Sequence, residues 1–150
     1  MFFKERTHIE KFEEILNKLN WNLYSEEDEE YKVYVFHSSY GEIETRWGLS
    51  LSKTNNYANM IRIIFSIDIE EYELEDFLEL INTFNMSYYN TAFYIKENPS
   101  RNCYDLFLNS YYYTSIKNFN PNSFIKLISL IEEVLKKAVP QLIKLKNDLN

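Results

Sequence analysis

The sequence predicts an α+β fold: a mostly antiparallel sheet with helices packed on one side, in the order α-β-β-β-α-β-β-α. Three observations carry this. Apolar residues recur at the helical period in three segments, near the start, in the middle and at the end of the chain. Between them lie runs that alternate apolar and polar residues and are rich in Val, Ile, Tyr and Phe. Those runs are separated by only a few polar residues, which suits hairpins and therefore antiparallel pairing.

The first helix opens at Thr7, three residues ahead of Glu10, in the spacing of a capping box. Ile9, Phe12, Leu16 and Leu19 form one stripe, with Glu13, Glu14, Asn17 and Lys18 off it, and the helix should stop near Asn20. Residues 21–24 begin an extended segment. The run Ser25-Glu26-Glu27-Asp28-Glu29-Glu30 reads as a turn or loop, because so many like charges repel inside a packed element. Tyr31 to His37 alternates and is rich in strand formers; Ser38, Ser39, Tyr40 and Gly41 supply a turn. Glu42 to Ser52 is the next strand, with Trp47, Leu49 and Leu51 on one face and Arg46, Gly48 and Ser50 on the other. Lys53 to Asn56 turns the chain, and Tyr57 to Ile69 is a third strand with Ile61, Ile63, Phe65 and Ile67 on one side.

The pattern then returns to the helical period. Leu74, Phe77, Leu78, Ile81 and Phe84 form a stripe opposite Glu75, Asp76, Glu79 and Asn82. Thr91 to Lys96 is a strand, Glu97 to Asn102 a polar loop, and Cys103 to Tyr113 the hairpin partner. Asn120 followed by Pro121 has the form of an N-cap with Pro at the first helical position. Phe124, Leu127, Ile128, Ile131, Leu135 and Ala138 form the last stripe. Pro140 should kink or end that helix, since it lacks a donor and crowds the preceding turn, leaving a short separate helix beyond it.

The 150 residues suit one domain spanning 1–150, and a 45% hydrophobic fraction supports a packed core rather than disorder. Lys plus Arg is 16 against 23 Asp plus Glu, a net charge of −7, which argues against nucleic acid as a partner, since phosphate contacts need a basic face. No apolar run approaches the roughly 18 residues of a membrane helix, and Met1-Phe2-Phe3-Lys4 is followed by charge too soon for a signal peptide. The lone Cys103 excludes an internal disulfide and fits a reducing cytoplasm, so a cytoplasmic protein with no membrane contact is expected.

No motif reports a reaction. With only Gly41 and Gly48, a glycine-rich phosphate loop is excluded, and Gly-x-Ser-x-Gly is absent. His8 and His37 lack metal-ligand spacing and read as solvated surface histidines. Cys103 reads as a structural cysteine at a strand start, and Glu42 with Glu44 as a solvated strand face. The expectation is a protein without catalytic residues, cofactor or metal. An enzyme site built from scattered residues would show as a deep polar pocket around His37 or Cys103.

The informative feature is a second apolar sheet face. In the strand 31–37 both faces are apolar, Val33 and Val35 on one and Tyr34 and Phe36 on the other. In the strand 103–113, Phe107, Tyr111 and Tyr113 oppose Leu106 and Leu108. Aromatic residues and Arg are favoured at interface centres, so Tyr34, Phe36, Phe107, Tyr111 and Tyr113 are the expected partner-binding residues. Glu27 and Asp28 join them as residues that could steer a basic partner. Two plainer readings stay open: the C-terminal helix covers that face, or the tyrosines and the acidic run are simply solvated.

The layout resembles the YbjN-like family, which shares the fold of type III secretion chaperones. The resemblance covers most of the chain up to Pro140. It rests on element order and on Leu80-Ile81-Asn82-Thr83-Phe84-Asn85, which closes the middle helix ahead of Ala92-Phe93-Tyr94-Ile95 and looks like the family's Leu-Asn-x-x-Asn-type ending. Glycine is scarcer than in many members, and the 54–59 turn is rich in Asn. The resemblance implies a small non-catalytic bacterial protein, chaperone- or regulator-like, that binds a client or regulatory target; chaperones of this fold commonly form homodimers. No catalytic residues carry over, and Asn82 and Asn85 read as helix-ending and turn residues. The alternative is an immunity protein or antitoxin that neutralises a cognate toxin by blocking its site, with the acidic run 26–30 or Glu42 and Glu44 at the contact.

Overall fold

The computed structural model describes residues 6–54 and 58–150. The readings made on Met1-Phe2-Phe3-Lys4, on the turn at Asn55-Asn56 and on a strand start at Tyr57 lie outside the described residues. The elements are α1 (His8–Leu19), β1 (Tyr24–Glu27), β2 (Tyr31–Tyr40), β3 (Ile43–Ser52), β4 (Ala58–Ile69), a 3₁₀ turn (Glu71–Glu73), α2 (Leu74–Ser87), β5 (Ala92–Asn98), β6 (Cys103–Tyr113) and α3 (Pro121–Leu149). The six strands form one antiparallel sheet in the order β1-β2-β3-β4-β6-β5, so the α+β architecture stands as expected.

Local signals place the ends of the helices. Thr7 Oγ1 accepts the Glu10 N–H at 3.1 Å, and Asn20 closes α1 in the left-handed conformation at φ 55°. Asn120 Oδ1 accepts the N–H groups of Asn122 and Ser123 ahead of α3. Two expectations need correction. The acidic run is not all loop: Tyr24–Glu27 pairs with β2 as an edge strand, tolerated because its side chains are exposed and charge suits an edge. Lys53 Nζ offsets the like charge by binding Glu27 Oε2 at 3.1 Å and the Asp28 carbonyl at 2.8 Å. Nor does Pro140 end the last helix, which runs unbroken from Pro121 to Leu149. Leu135, Ala138, Val139 and Leu142 stay buried on one stripe across the proline, while Pro140 itself is exposed. The carbonyl it leaves without an amide partner, on Lys136, lies on the water side, where the loss is small.

All three helices pack on one face of the sheet. Trp47, Leu49, Leu51, Ile61, Ile63, Leu106 and Leu108 supply the sheet side of the core, and Phe12, Phe77, Phe84 and Phe124 the helix side. Phe12 of α1 meets Phe124 of α3 at 5.3 Å and Tyr34 of β2 at 5.5 Å, and Phe84 of α2 meets Phe93 of β5 at 5.1 Å. The C-terminal helix therefore joins the same layer as α1 and α2, and among the described residues no helix packs on the other face of the sheet.

Polar side chains lock this arrangement. His8, expected on the surface, is buried; its Nε2 donates to the Ser52 carbonyl at 2.7 Å, tying the start of α1 to the end of β3. Asn59 accepts the Ser52 N–H and donates to the Tyr112 carbonyl, bridging β3 and β6 across β4. Asn85, at the end of α2, accepts the Phe93 N–H at 2.7 Å and donates to the Phe93 carbonyl at 2.9 Å. It thus stands in for a neighbouring strand at one position on the free edge of β5.

Glu13 couples α1 to β2 by charge. Its carboxylate accepts from the Tyr34 hydroxyl at 2.6 Å and binds the Lys32 ammonium. Partial burial would raise the Glu13 pKa, but the hydrogen bonds from Lys32 and Tyr34 and the charge of Lys32 outweigh it and hold the carboxyl below its ordinary 4.5. The native state therefore binds this proton less readily than the unfolded chain. The resulting stability is complete above the unfolded pKa and is lost as pH falls through the folded one. The urea midpoint should fall as pH drops below about 4.5, and Glu13→Gln should flatten that acid limb. Superimposable acid limbs for the two proteins would remove Glu13 from the linkage.

Candidate partner-binding face

This second face of the sheet is built by alternation. Residues that pair in register share a side, so Val33 and Val35 of β2 join Gly48 and Ser50 of β3, Met60, Arg62 and Ile64 of β4, and Phe107, Asn109 and Tyr111 of β6. Tyr24 and Glu26 of β1 and Tyr94 of β5 extend it to both edges. Three of the expected partner residues lie here. Tyr111 and Tyr113 stack on each other at 5.6 Å and 12° and are 44% and 69% exposed; Phe107 stacks on Tyr94 at 4.9 Å and 8°.

Tyr34 and Phe36 lie on the opposite face, which corrects the expected site. The two-residue turn at Gly41 and Glu42 sets Tyr34 opposite Leu49 and Phe36 opposite Trp47, and both of those point at the helices. Tyr34 is buried against Phe12, where burial and the Glu13 carboxylate push its phenol far above the ordinary range. Phe36 is sandwiched between Trp21 and Trp47, at 5.4 and 5.1 Å. The β-branched Val33 and Val35 take the open side instead.

Glu27 and Asp28 sit at the β1–β2 turn and already have internal partners. Asp28 Oδ1 accepts the N–H groups of Glu30 and Tyr31, both at 2.8 Å, and those two bonds hold its carboxyl below the usual range. Glu27 pairs with Lys53. The acidic run thus shapes a hairpin.

At the centre of the open face is a depression of about 250 Å³ lined by Val33, Gly48, Ser50, Met60 and Ile64 over the buried Val35, with Glu26, Arg46 and Arg62 around it. Arg62 Nε donates to Asn109 Oδ1 at 3.2 Å, and Arg46 Nη2 to the Tyr24 hydroxyl at 3.3 Å. Neither guanidinium makes an ion pair with a carboxylate among the described residues. The arrangement combines aromatic surface at one end with a hollow of mixed lining and two cations at the middle. Tyr94 was missed in the sequence; its alternation with Phe93 and Ile95 in a strand paired to 103–113 is the signal that finds it.

Among the described residues, the reactive side chains Cys103, Asp68 and Asp105 gather at the start of β6. Cys103 is buried at the start of β6, and burial together with the Asp68 and Asp105 carboxylates pushes its thiol up, away from the nucleophilic thiolate. Asp68, Cys103 and Asp105 bring potential ligand atoms within 4.8 Å of one another. Both carboxylates have partners, however: Arg101 binds Asp68 at 2.7 Å and Asn98 donates to Asp105 at 2.9 Å. His37 is exposed. Among the described residues, no helix is long and apolar enough to cross a membrane.

No family model matches the chain, and no curated protein matches it. A solved structure does: that of YbjN from E. coli, described as a proposed transcription regulator. The alignment covers 87% of this chain and 89% of that one, with 9% identity and a TM-score of 0.57. At that identity the likeness is one of architecture: this chain has a YbjN-like fold.

Proposed function

We propose that this protein is a non-catalytic protein-binding module of the bacterial cytoplasm, and that the open sheet face receives its partner. One observation carries the reading: every helix packs on the same side, so the stacked pairs Tyr94–Phe107 and Tyr111–Tyr113 are left on a face that no helix among the described residues covers. Aromatic side chains of this kind on an open face are favoured at the centres of interfaces. Stacked, preordered aromatic rings lose little side-chain entropy when a partner settles on them. The structural neighbour's description as a proposed regulator is in keeping with a protein that works by contact rather than by chemistry. The toxin-inhibitor reading draws less support, because Glu27 and Asp28 are engaged within the hairpin.

The test compares wild type with the double variant Tyr111→Ala and Tyr113→Ala. Each tagged protein captures partners from lysate of its own host, and urea unfolding checks the fold. Both side chains are solvent-facing, so the unfolding midpoint should stay close to wild type. Capture of the partner held by wild type should fall by about tenfold or more, the expected loss of two interface aromatics. Undiminished capture by a folded double variant would remove these tyrosines from the site.

A further inference from the structure

The depression around Gly48 carries a more specific reading, which rests on the open-face proposal. We propose that it is a recognition pocket for an acidic, aliphatic stretch of a partner polypeptide. The partner's carboxylate is held by Arg46 and Arg62, and an aliphatic side chain next to it seats over Gly48.

The first observation is that the fold does not need a glycine at position 48. Gly41 does: it has φ +61° at the β2–β3 turn. Gly48 has no positive φ, and a Cβ built on it meets only Val33 Cγ1 at 3.7 Å and the Arg62 carbonyl at 3.9 Å, ordinary contact distances. Alanine fits there. Glycine in the middle of a strand weakens it and leaves a gap in the packed surface, and such a residue marks a place where a ligand or another chain approaches closely. Here the gap lies in the hollow between Val33, Met60 and Ile64, with the buried Val35 beneath it.

The second observation is charge. The chain carries seven more acidic than basic groups, yet Arg46 and Arg62 make no ion pair among the described residues. Arg62 is oriented by the buried Asn109 through its Nε, and Arg46 by the Tyr24 hydroxyl through one Nη, so the rest of each planar fork is free. A guanidinium fork matches a carboxylate in two parallel hydrogen bonds. Glu26 at the rim and the net charge of −7 disfavour a polyphosphate, which would meet repulsion along its length, whereas a single carboxylate fits between the cations. Val33, Met60 and Ile64 add affinity for a neighbouring aliphatic side chain.

A random decapeptide display library is selected on the full-length wild-type protein, and one enriched peptide is synthesised with a fluorescent label. Its affinity is measured against wild type, Gly48→Ala, the pair Arg46→Gln with Arg62→Gln, and the pair Tyr111→Ala with Tyr113→Ala. Enriched peptides should place Asp or Glu within two positions of Leu, Ile or Val. The arginine pair should weaken binding about tenfold or more. Gly48→Ala should weaken it several-fold while its urea midpoint stays equal to or above wild type. That combination separates a binding glycine from a structural one.

The inference is overturned by no enriched peptide, by enriched peptides without acidic residues, by displacement of the peptide by an oligo-dT single strand, or by wild-type binding in Gly48→Ala and the arginine pair. Occupation of the face by a second copy, seen as a doubled mass by light scattering that the arginine pair abolishes, also overturns it. Loss of peptide binding in the tyrosine pair alone rejects this pocket and keeps the open-face reading. Binding unchanged in every variant rejects both.

Discussion

Lys146→Met should lower the free energy of unfolding by about 3–5 kcal/mol, the cost of leaving a buried charge without its partner. The charge is Glu73, whose side chain is fully buried at the 3₁₀ turn between β4 and α2. Its Oε1 accepts the Glu70 N–H at 3.0 Å and binds the Lys146 ammonium; its Oε2 has no hydrogen-bond partner among the described residues. Lys146 also donates to the Asp68 carbonyl at 2.7 Å. A single ammonium near the end of α3 therefore secures that end to the junction of β4 and α2. Replacing both charged groups, Glu73→Gln with Lys146→Met, should recover most of the loss, because no unpaired charge then stays in the interior. Urea unfolding of the two single variants and the pair gives the coupling directly. A loss under about 1 kcal/mol for Lys146→Met would mean that water reaches Glu73 and the pair acts as a surface contact.

That tie was not legible in the sequence, and the reason is physical. Glu73 lies in an acidic stretch, Glu70-Glu71-Tyr72-Glu73, and nothing local distinguishes the one carboxylate that turns inward. Its partner is a lysine in a distant helix, one of several near the C-terminal end. Elements were legible where periodicity and local signals agree: the Thr7 and Asn120 caps, the three helical stripes, and the alternation in β3 and β4. The extension of α3 through Pro140 was not, because tertiary burial on both sides of the proline outweighs a local preference to stop. β1 was hidden for a related reason. Charge repulsion argues against packing, but an edge strand is not packed on its outer side.

The site was half legible. Two apolar faces in β2 are equivalent to a reader of alternation, and the larger aromatics suggest themselves for the interface. The turn at Gly41 and Glu42 resolves the choice, since a two-residue connection fixes which β2 residues stand beside Trp47 and Leu49. Tyr34 and Phe36 then fall on the helix side, and Val33 and Val35 on the other face, where Val35 is buried by its neighbours. β6 raised no such difficulty, because Leu106 and Leu108 on one side and Tyr111 and Tyr113 on the other differ plainly in polarity.

Phe12→Ala should cost about 3–5 kcal/mol of stability, the usual range for emptying a buried aromatic site. Phe12 is fully buried where α1, β2, α3 and the segment leading into α3 meet. Its ring stands edge-on to Tyr34 of β2, to Phe124 of α3, and, at 6.3 Å, to Phe119 in the segment leading into α3. Edge-to-face contacts of this kind add to the burial of area, so the loss should lie toward the upper end. Phe12→Leu keeps most of the volume and should recover a large part of it. The same variant separates the two faces of the sheet. It loosens the layer formed by α1 and α3 without touching Tyr94, Phe107, Tyr111 or Tyr113, so a folded fraction of Phe12→Ala at low temperature should bind the open-face partner with wild-type affinity per folded molecule. The tyrosine pair should behave in the opposite way, with stability kept and binding lost. Loss of binding in folded Phe12→Ala would mean that the partner reads the helix layer, and the open face would then no longer be the place of contact.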